Sequence, residues 1–184
     1  MKIVGVGLNK TGTKTLGTCL RTFGLKHSST NYPAFQLWRL KRMRELMVVV
    51  GAFDSFEDWP WPLIYREIDA AYPGTKFILT TRDDPEVWFR SLCDLAKRTG
   101  PTEYREVIYG HAMPEGHKEA HIRIYLEHNQ AVRDHFKDRP DALLEVCWER
   151  GDAWAELAGF IGRPAPDSPF PHENRTSDTD RSDR

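Results

Sequence analysis

The sequence predicts an α/β fold of three layers, in which a mostly parallel central sheet is covered by helices on both faces. Short apolar segments alternate along the chain with longer amphipathic ones, which is the order produced by strand–helix–strand units. The first apolar segment, residues 2–7, ends in glycine and leads through a polar loop into an amphipathic segment. Residues 76–81 (KFILTT) lie between two groups of turn-forming residues, as expected of a buried strand.

Each further element is predicted from a local pattern. Four short apolar segments predict strands: residues 2–7, 25–28, 76–81 and 142–146. Residues 52–56 form another short apolar segment. Six segments with apolar residues at helical spacing predict helices: residues 14–23, 33–48, 63–72, 85–97, 118–137 and 153–161. Gly24 is a suitable end for the first helix, and Pro85 suits the first turn of the fourth. Residues 100–116, which contain several glycines and prolines, are predicted to be irregular.

Composition limits the class of protein. The chain has 184 residues, of which 40% are hydrophobic and 29% are charged. These values fit one globular domain at residues 1–172, followed by a polar tail at residues 173–184 that we expect to be disordered. The formal net charge of −1 creates no overall field that would attract nucleic acid or an anionic membrane, so we expect neither as a partner. The cysteines Cys19, Cys93 and Cys147 are far apart, which favours the reducing cytoplasm over a disulfide framework.

The loop at residues 7–15 (GLNKTGTKT) lies between the first strand and the first helix. Backbone amides and the helix dipole converge at such a junction and favour an anion. Its side chains add positive charge and hydroxyl donors: Lys10, Thr11, Thr13, Lys14 and Thr15. Gly12 allows the backbone to approach a ligand closely. The loop is not a Walker A motif, because Thr13 stands where that motif has its lysine.

The order Lys10-Thr11-Gly12-Thr13, followed by Leu16, resembles the 5′-phosphosulfate loop of sulfotransferases. The resemblance implies a P-loop NTPase-like sulfotransferase fold and a sulfuryl donor, 3′-phosphoadenosine 5′-phosphosulfate (PAPS), used without a metal ion. Lys14 replaces the hydroxyl residue that follows in the family's pattern. Either Thr15 makes that hydroxyl contact or Lys14 binds phosphate directly.

Two further segments extend the resemblance to about residues 2–174. Arg82 at the end of the predicted strand, and Ser91 in the following helix, look like the pair that holds the donor's 3′-phosphate in sulfotransferases. Their spacing is one residue longer than the family's. The alternative is that Arg82 has a structural role and pairs with Asp83 or Asp84. The stretch 151–172 is similar to the C-terminal pattern of a compact, mostly uncharacterised branch of the family.

Sulfuryl transfer needs charge stabilisation on the leaving phosphate and a base for the acceptor's proton. Lys10 is the candidate for the first role. Asp58 is the first candidate base, because it stands before Pro60 at the place where cytosolic sulfotransferases have a histidine; its alternative role is a helix cap. His27 is the second candidate. We expect the acceptor to be a small or carbohydrate-like molecule with a hydroxyl or amine, and residues 100–116 are a candidate lid over it.

Several alternatives stay open from the residues alone. A P-loop kinase or nucleotidase would need an acidic residue for magnesium, and Asp83 and Glu145 are weak candidates for it. A non-catalytic nucleotide-binding module is a third possible function, beside the sulfotransferase and the kinase. We expect no metal site: the histidines His111, His117 and His121 fit a solvated helix face better than a metal centre. The sequence identifies neither the acceptor nor the oligomeric state.

Overall fold

The computed structural model describes residues 1–151 and 154–171. Five strands form one parallel sheet in the order β2–β3–β1–β4–β5. The strands are β1 (Ile3–Gly5), β2 (His27–Ser28), β3 (Ser55–Phe56), β4 (Lys76–Thr80) and β5 (Leu143–Val146). The apolar segment at residues 52–56 therefore supplies β3, which pairs with β1.

Eight α-helices lie within the described residues. They are α1 (Thr13–Thr22), α2 (Tyr32–Arg39), α3 (Met43–Gly51), α4 (Tyr65–Ala71), α5 (Pro85–Thr99), α6 (Glu103–Tyr109), α7 (Lys118–Phe136) and α8 (Trp154–Ile161). Short 3-10 turns occupy Trp61–Leu63, Pro140–Ala142 and Trp148–Arg150. Across residues 1–151 and 154–171, none of the helices combines the length and the apolar character that a membrane crossing demands.

Two apolar clusters cover the two faces of the sheet. Val4 of β1 packs on one face with Leu46 of α3 and Val132 of α7. Its neighbour Ile3 points to the other face and packs with Leu16 of α1 and Leu157 of α8. Adjacent strand residues point to opposite faces, so the two clusters confirm the predicted three-layer architecture.

A third apolar cluster lies beyond the carboxyl end of β1. Leu8, Trp59 and Trp88 meet there with Tyr109 of α6 and Tyr125 of α7. The rings of Trp88 and Tyr125 stack with centroids 4.5 Å apart. This cluster holds α5, α6 and α7 against the loop that follows β1.

The single helix predicted for residues 33–48 is wrong, because the chain forms two helices there. α2 ends at Arg39, and Lys41 adopts a left-handed conformation with φ 56° before α3 begins at Met43. The break lets α2 bury Phe35 while α3 buries Leu46. Leu40, which the helical pattern places on the inner face, is 65% exposed at this turn.

The irregular segment predicted at residues 100–116 contains α6. The Thr102 side chain accepts a hydrogen bond from the Arg105 amide, and Gly110 ends the helix in a left-handed conformation. Both residues are ordinary helix-end signals. Because Glu103–Tyr109 forms a helix, the prediction of an irregular segment is wrong for these residues. The predicted polar tail, residues 173–184, lies outside the described residues.

Candidate active site

The loop between β1 and α1 turns its carbonyl groups away from the space in front of it. Four of them accept hydrogen bonds from side chains that come from several parts of the chain. The acceptor–donor pairs are Leu8 and Thr11 Oγ1 at 2.7 Å, Asn9 and Trp88 Nε1 at 2.9 Å, Lys10 and Arg82 Nε at 2.9 Å, and Gly12 and Trp148 Nε1 at 3.1 Å. A trans peptide places each C=O opposite the next N–H. The amides of this loop therefore point the other way and form an anion-binding concavity.

Two glycines allow this path. A Cβ on Gly7 would lie 2.1 Å from Thr80 Oγ1 and 2.4 Å from the Thr80 carbonyl oxygen. Gly12 has φ 87°, and a Cβ there would meet the Trp148 ring at 2.2 Å. Gly12 is also the N-cap residue of α1, so the cap position offers no side-chain oxygen to the first amides of that helix.

A cavity of about 290 Å³ lies in front of the loop. Six of the residues predicted from the sequence line it: Lys10, Gly12, Thr13, Lys14, Asp58 and Arg82. Asn9, Leu95, Arg98 and Thr99 complete the lining. The sheet thus brings together residues from the ends of three neighbouring strands, β3, β1 and β4.

Four other predicted residues do not line this cavity. Thr11 is buried, and its hydroxyl group is bonded to the Leu8 carbonyl and, at 2.6 Å, to Thr80 Oγ1. Thr15 is buried in the first turn of α1. Ser91 is half-buried one helical turn before Leu95, on the face of α5 that reaches the cavity. His27 lies behind the site, as described below.

Lys10 carries its ammonium group into a positive environment. Its backbone has φ 70°, a conformation that lysine rarely adopts. Burial lowers the pKa of Lys10, and the charges of Arg98, Arg82 and Lys14 lower it further, in that order. An anion in the cavity would relieve this repulsion, so the charges favour a negatively charged ligand.

Arg82 is fixed by three interactions. Its amide donates to Tyr125 Oη at 3.0 Å, its Nε donates to the Lys10 carbonyl, and its Nη1 lies 2.8 Å from Glu149 Oε1. The alternative pairing with Asp83 or Asp84 is not found: Asp83 instead forms an ion pair with Arg150. Arg82 thus connects the β1–α1 loop to the turn after β5.

Asp58 follows β3 and is half-buried, with φ 64°. Its Oδ1 accepts a hydrogen bond from the Trp59 amide at 2.9 Å. Burial, and then the negative charge of Glu57, raise the pKa of Asp58 to about 7. Hydrogen bonds from the Trp59 amide and the Thr30 hydroxyl, and the charge of Lys14, act in the opposite direction. A carboxyl group with this pKa can take up a proton at neutral pH.

His27 belongs to a buried polar group behind Asp58. Its Nδ1 lies 2.9 Å from Ser55 Oγ, and its Nε2 lies 3.6 Å from Glu57 Oε1. The side chains of His27 and Glu57 are each 2% exposed, and Ser29 donates a hydrogen bond to Glu57. The structure therefore does not bring His27, the second candidate base, to the cavity.

Sequence reasoning missed Arg98 and Glu149. Arg98 stands seven residues after Ser91 and three after Leu95, so a helical projection of α5 would have placed all three on one face. Glu149 gave no comparable signal, because it reaches Arg82 from a turn 67 positions later in the chain.

The histidines His111, His117 and His121 do not form the predicted solvated face. His121 is fully buried, and its Nδ1 lies 2.8 Å from the His117 carbonyl oxygen. The rings of His111 and His117 stack with centroids 3.5 Å apart. His111 lies on the connection between α6 and α7, His117 is the N-cap residue of α7, and His121 lies in the first turn of α7. All three are outside the cavity lining.

One group of potential metal ligands occurs among residues 1–151 and 154–171. Asp83, Cys147 and Glu149 offer ligand atoms within 4.8 Å of one another. The carboxylates of Asp83 and Glu149 already pair with Arg150 and Arg82. The expectation that the reaction uses no metal stays a prediction.

The chain is similar to known proteins over the residues of this site. A sequence profile described as the sulfotransferase domain matches residues 2–179. The chain is 27% identical over 215 residues to Ava biosynthesis cluster protein M of Aspergillus versicolor, over 94% of this chain and 80% of that protein. Among solved structures, a gluconokinase from Sinorhizobium meliloti 1021 matches with a TM-score of 0.37 and 12% identity, over 76% of this chain and 97% of that one. The profile match includes every residue that lines the cavity.

Proposed function

Because this chain belongs to the sulfotransferase domain family, we propose that it transfers a sulfuryl group from PAPS to a hydroxyl or amine of a small or carbohydrate-like acceptor. The observation that carries the proposal is the cavity in front of the β1–α1 loop. The carbonyl groups of this loop accept hydrogen bonds on the side away from the cavity. The cavity itself is lined by four cationic side chains and by one carboxyl group whose pKa is about 7.

The loop and Arg82 suit the two charged ends of such a donor. The inward amides, Thr13, Lys10 and Lys14 would hold the 5′-phosphosulfate, since backbone donors and lysines bind oxyanions well. Arg82 would hold the 3′-phosphate, because a guanidinium forms two parallel hydrogen bonds to a phosphate. Ser91 remains a proposed contact from the same helix face as Leu95.

The remaining groups suit the chemistry of transfer. The Asp58 carboxylate would take the proton of the acceptor hydroxyl while the oxygen of that hydroxyl forms a bond to sulfur. The bond between sulfur and the bridging oxygen of the donor would break, and its electron pair would stay on the 5′-phosphate. The Lys10 ammonium would stabilise that developing charge. Asp58 and Lys10 line the same cavity, as this division of roles requires.

Calorimetry with the donor product, 3′-phosphoadenosine 5′-phosphate (PAP), tests the donor site directly. We expect metal-free PAP to bind, and Lys10→Ala and Arg82→Ala each to weaken binding by about 1.5–3 kcal/mol. Arg44→Ala removes an exposed cation of α3 and should leave binding unchanged. Equal binding by wild type and Arg82→Ala would contradict the proposal.

The same experiment separates the two alternatives. A kinase would prefer magnesium-ATP to PAP, with Asp58, the acidic residue of the cavity lining, as the magnesium ligand. A non-catalytic module would bind PAP but transfer nothing to any acceptor in a broad set. Asp58→Asn should retain PAP binding and lose transfer, which assigns Asp58 to the chemistry and not to donor binding.

The cellular location is proposed from the cysteines. Cys93 and Cys147 form no disulfide bond with the described residues, and a reducing compartment keeps thiols in that state. The cytoplasm therefore stays our prediction for where this chain acts.

A further inference from the structure

The proposed donor accounts for three of the four cationic side chains in the cavity. Lys10 lies in the β1–α1 loop, Lys14 lies in the first turn of α1, and Arg82 follows β4. The fourth, Arg98, lies in the last turn of α5 and lines the same cavity. The proposed donor therefore leaves Arg98 without an assigned anionic partner.

Arg98 and Arg82 lie near opposite ends of α5. The helix begins at Pro85, directly after the Arg82 turn, and Arg98 comes thirteen residues later. A helix rises 1.5 Å per residue, so the backbones of Pro85 and Arg98 are about 20 Å apart. The Arg82 and Arg98 side chains therefore reach the cavity from opposite ends of α5.

Arg98 lines the same cavity as the proposed reacting groups. Among the charged neighbours that lower the pKa of Lys10, Arg98 has the largest effect, ahead of Arg82 and Lys14. Asp58 lines the same cavity. Lys10 and Asp58 are the groups that we place at the transferred sulfur and the acceptor hydroxyl. The Arg98 guanidinium is thus within reach of the rest of an acceptor molecule.

The charge of Arg98 is not neutralised within residues 1–151 and 154–171. Its Nε donates to the Asp94 carbonyl of its own helix at 3.3 Å, and no described carboxylate lies within 4.0 Å of its guanidinium. Arg82, in contrast, pairs with Glu149. Arg98 is therefore available to bind an anion that enters the cavity.

A buried arginine holds the end of α5 in place. Arg105 is 3% exposed, and it donates to the Ala112 carbonyl at 2.8 Å, to Thr99 Oγ1 at 3.2 Å and to the Gly100 carbonyl. These bonds fix the turn that follows Arg98. They also hold Thr99, which lines the cavity beside Arg98.

We propose that Arg98 binds an anionic group of the acceptor, so that the acceptor is a hydroxyl compound carrying a carboxylate or a similar oxyanion. This inference rests on the proposed function and narrows it. The acceptor hydroxyl lies at Asp58 and Lys10, Leu95 contacts its apolar part, and its anionic group meets Arg98. An amine acceptor, which is cationic at neutral pH, is disfavoured by the same charges.

Matched pairs of acceptors that differ only in a carboxylate or a carboxamide test the inference. Suitable pairs are 4-hydroxyphenylacetate with its amide and N-acetylserine with its amide, titrated by calorimetry into the protein saturated with PAP. We expect the acid of at least one pair to bind at least tenfold more tightly than its amide. In Arg98→Gln this preference should fall below threefold, while Arg98→Lys should retain part of it. Arg90→Gln, an exposed arginine of the same helix outside the cavity lining, should keep the full preference.

Three outcomes would overturn the inference. They are no preference for the acid in wild type, a preference that survives in Arg98→Gln, and a loss of PAP affinity in Arg98→Gln as large as in Arg82→Ala. Such a loss of PAP affinity would mean that Arg98 binds the donor and not the acceptor. Failure of wild-type protein to bind PAP would instead overturn the proposed function itself, and it is seen before any acceptor is added.

Discussion

Asp58 faces the cavity on one side and has the buried Glu57 carboxylate beside it in the chain. An aspartate in water is fully ionised at neutral pH and is a weak base. Burial and the charge of Glu57 raise the pKa of Asp58 to about 7, which makes its carboxylate a stronger proton acceptor. Glu57 therefore adds to the effect of burial on the pKa of Asp58.

The pH dependence of transfer tests this arrangement. Asp58 must be ionised to accept a proton, so kcat should rise with pH through about 7. Glu57→Gln removes the like charge, so the pKa of Asp58 should fall and the rising limb should move down by about one pH unit. Glu67→Gln, an exposed acid of α4, is the matched control. An unchanged midpoint of the kcat profile in Glu57→Gln would mean that Glu57 does not raise the pKa of Asp58.

The ion pair between Arg82 and Glu149 leads to a second prediction. Glu149 places a negative charge where the proposed 3′-phosphate binds. Glu149→Gln should therefore tighten PAP binding about two- to fivefold, since half-exposed pairs are worth up to about 1 kcal/mol. Glu145→Gln, which breaks the comparable Arg133 pair on β5, should have little effect in the same calorimetric titration. Weaker binding in Glu149→Gln would mean that Glu149 holds Arg82 in its binding position.

At the scale of the element, the β1–α1 loop depends on the absence of a side chain at residue 7. Gly7→Ala places a methyl group inside the contact distance of the Thr80 backbone. We expect a loss of about 1–3 kcal/mol in the free energy of unfolding, measured by urea denaturation, together with weaker PAP binding.

A second glycine provides the control for that substitution. Gly159 is exposed within α8, and nothing lies within 4 Å of a Cβ built there. Gly159→Ala should raise the free energy of unfolding by about 0.5–1 kcal/mol, because alanine favours the helix. If the two substitutions had the same effect on stability, the close approach of Gly7 to β4 would not matter.

Elements with clear local signals were predicted well. Asp84 caps α5 and Pro85 occupies its first turn, and both signals are visible in the sequence. The break between α2 and α3 was not predictable, because Lys41 adopts a left-handed conformation that its residue type does not favour. Tertiary packing of two apolar faces, and not local propensity, determines that turn.

At the scale of the whole molecule, the site follows from the parallel sheet. Strand order places Asp58, the β1–α1 loop and Arg82 at the ends of adjacent strands, and all three are candidates from the sequence. Trp148 and Glu149 could not be found in this way, since they reach the loop from a distant turn. The loop pattern indicated an anion site, whereas the groups that orient the loop depended on the fold.

A ligand that joins these strands should stabilise the whole molecule. With PAP at about 100 times its Kd, the gain is about 2.7 kcal/mol, which raises Tm by about 5–10 °C for a chain of this size. Differential scanning fluorimetry without magnesium measures this rise. Adenosine, which lacks both phosphates, should give no shift, and an equal shift with adenosine would place the binding outside the phosphate loop.

The bond from Trp148 to Gly12 has a consequence for the protein during synthesis. The β1–α1 loop leaves the ribosome before Trp148, which follows Gly12 by 136 positions. Phe170, whose ring lies 5.2 Å from that of Trp148, emerges later still. A nascent chain released before these residues would carry the loop motif without the contacts that orient it, so the proposed donor affinity is expected only after Trp148 and Phe170 have been synthesised.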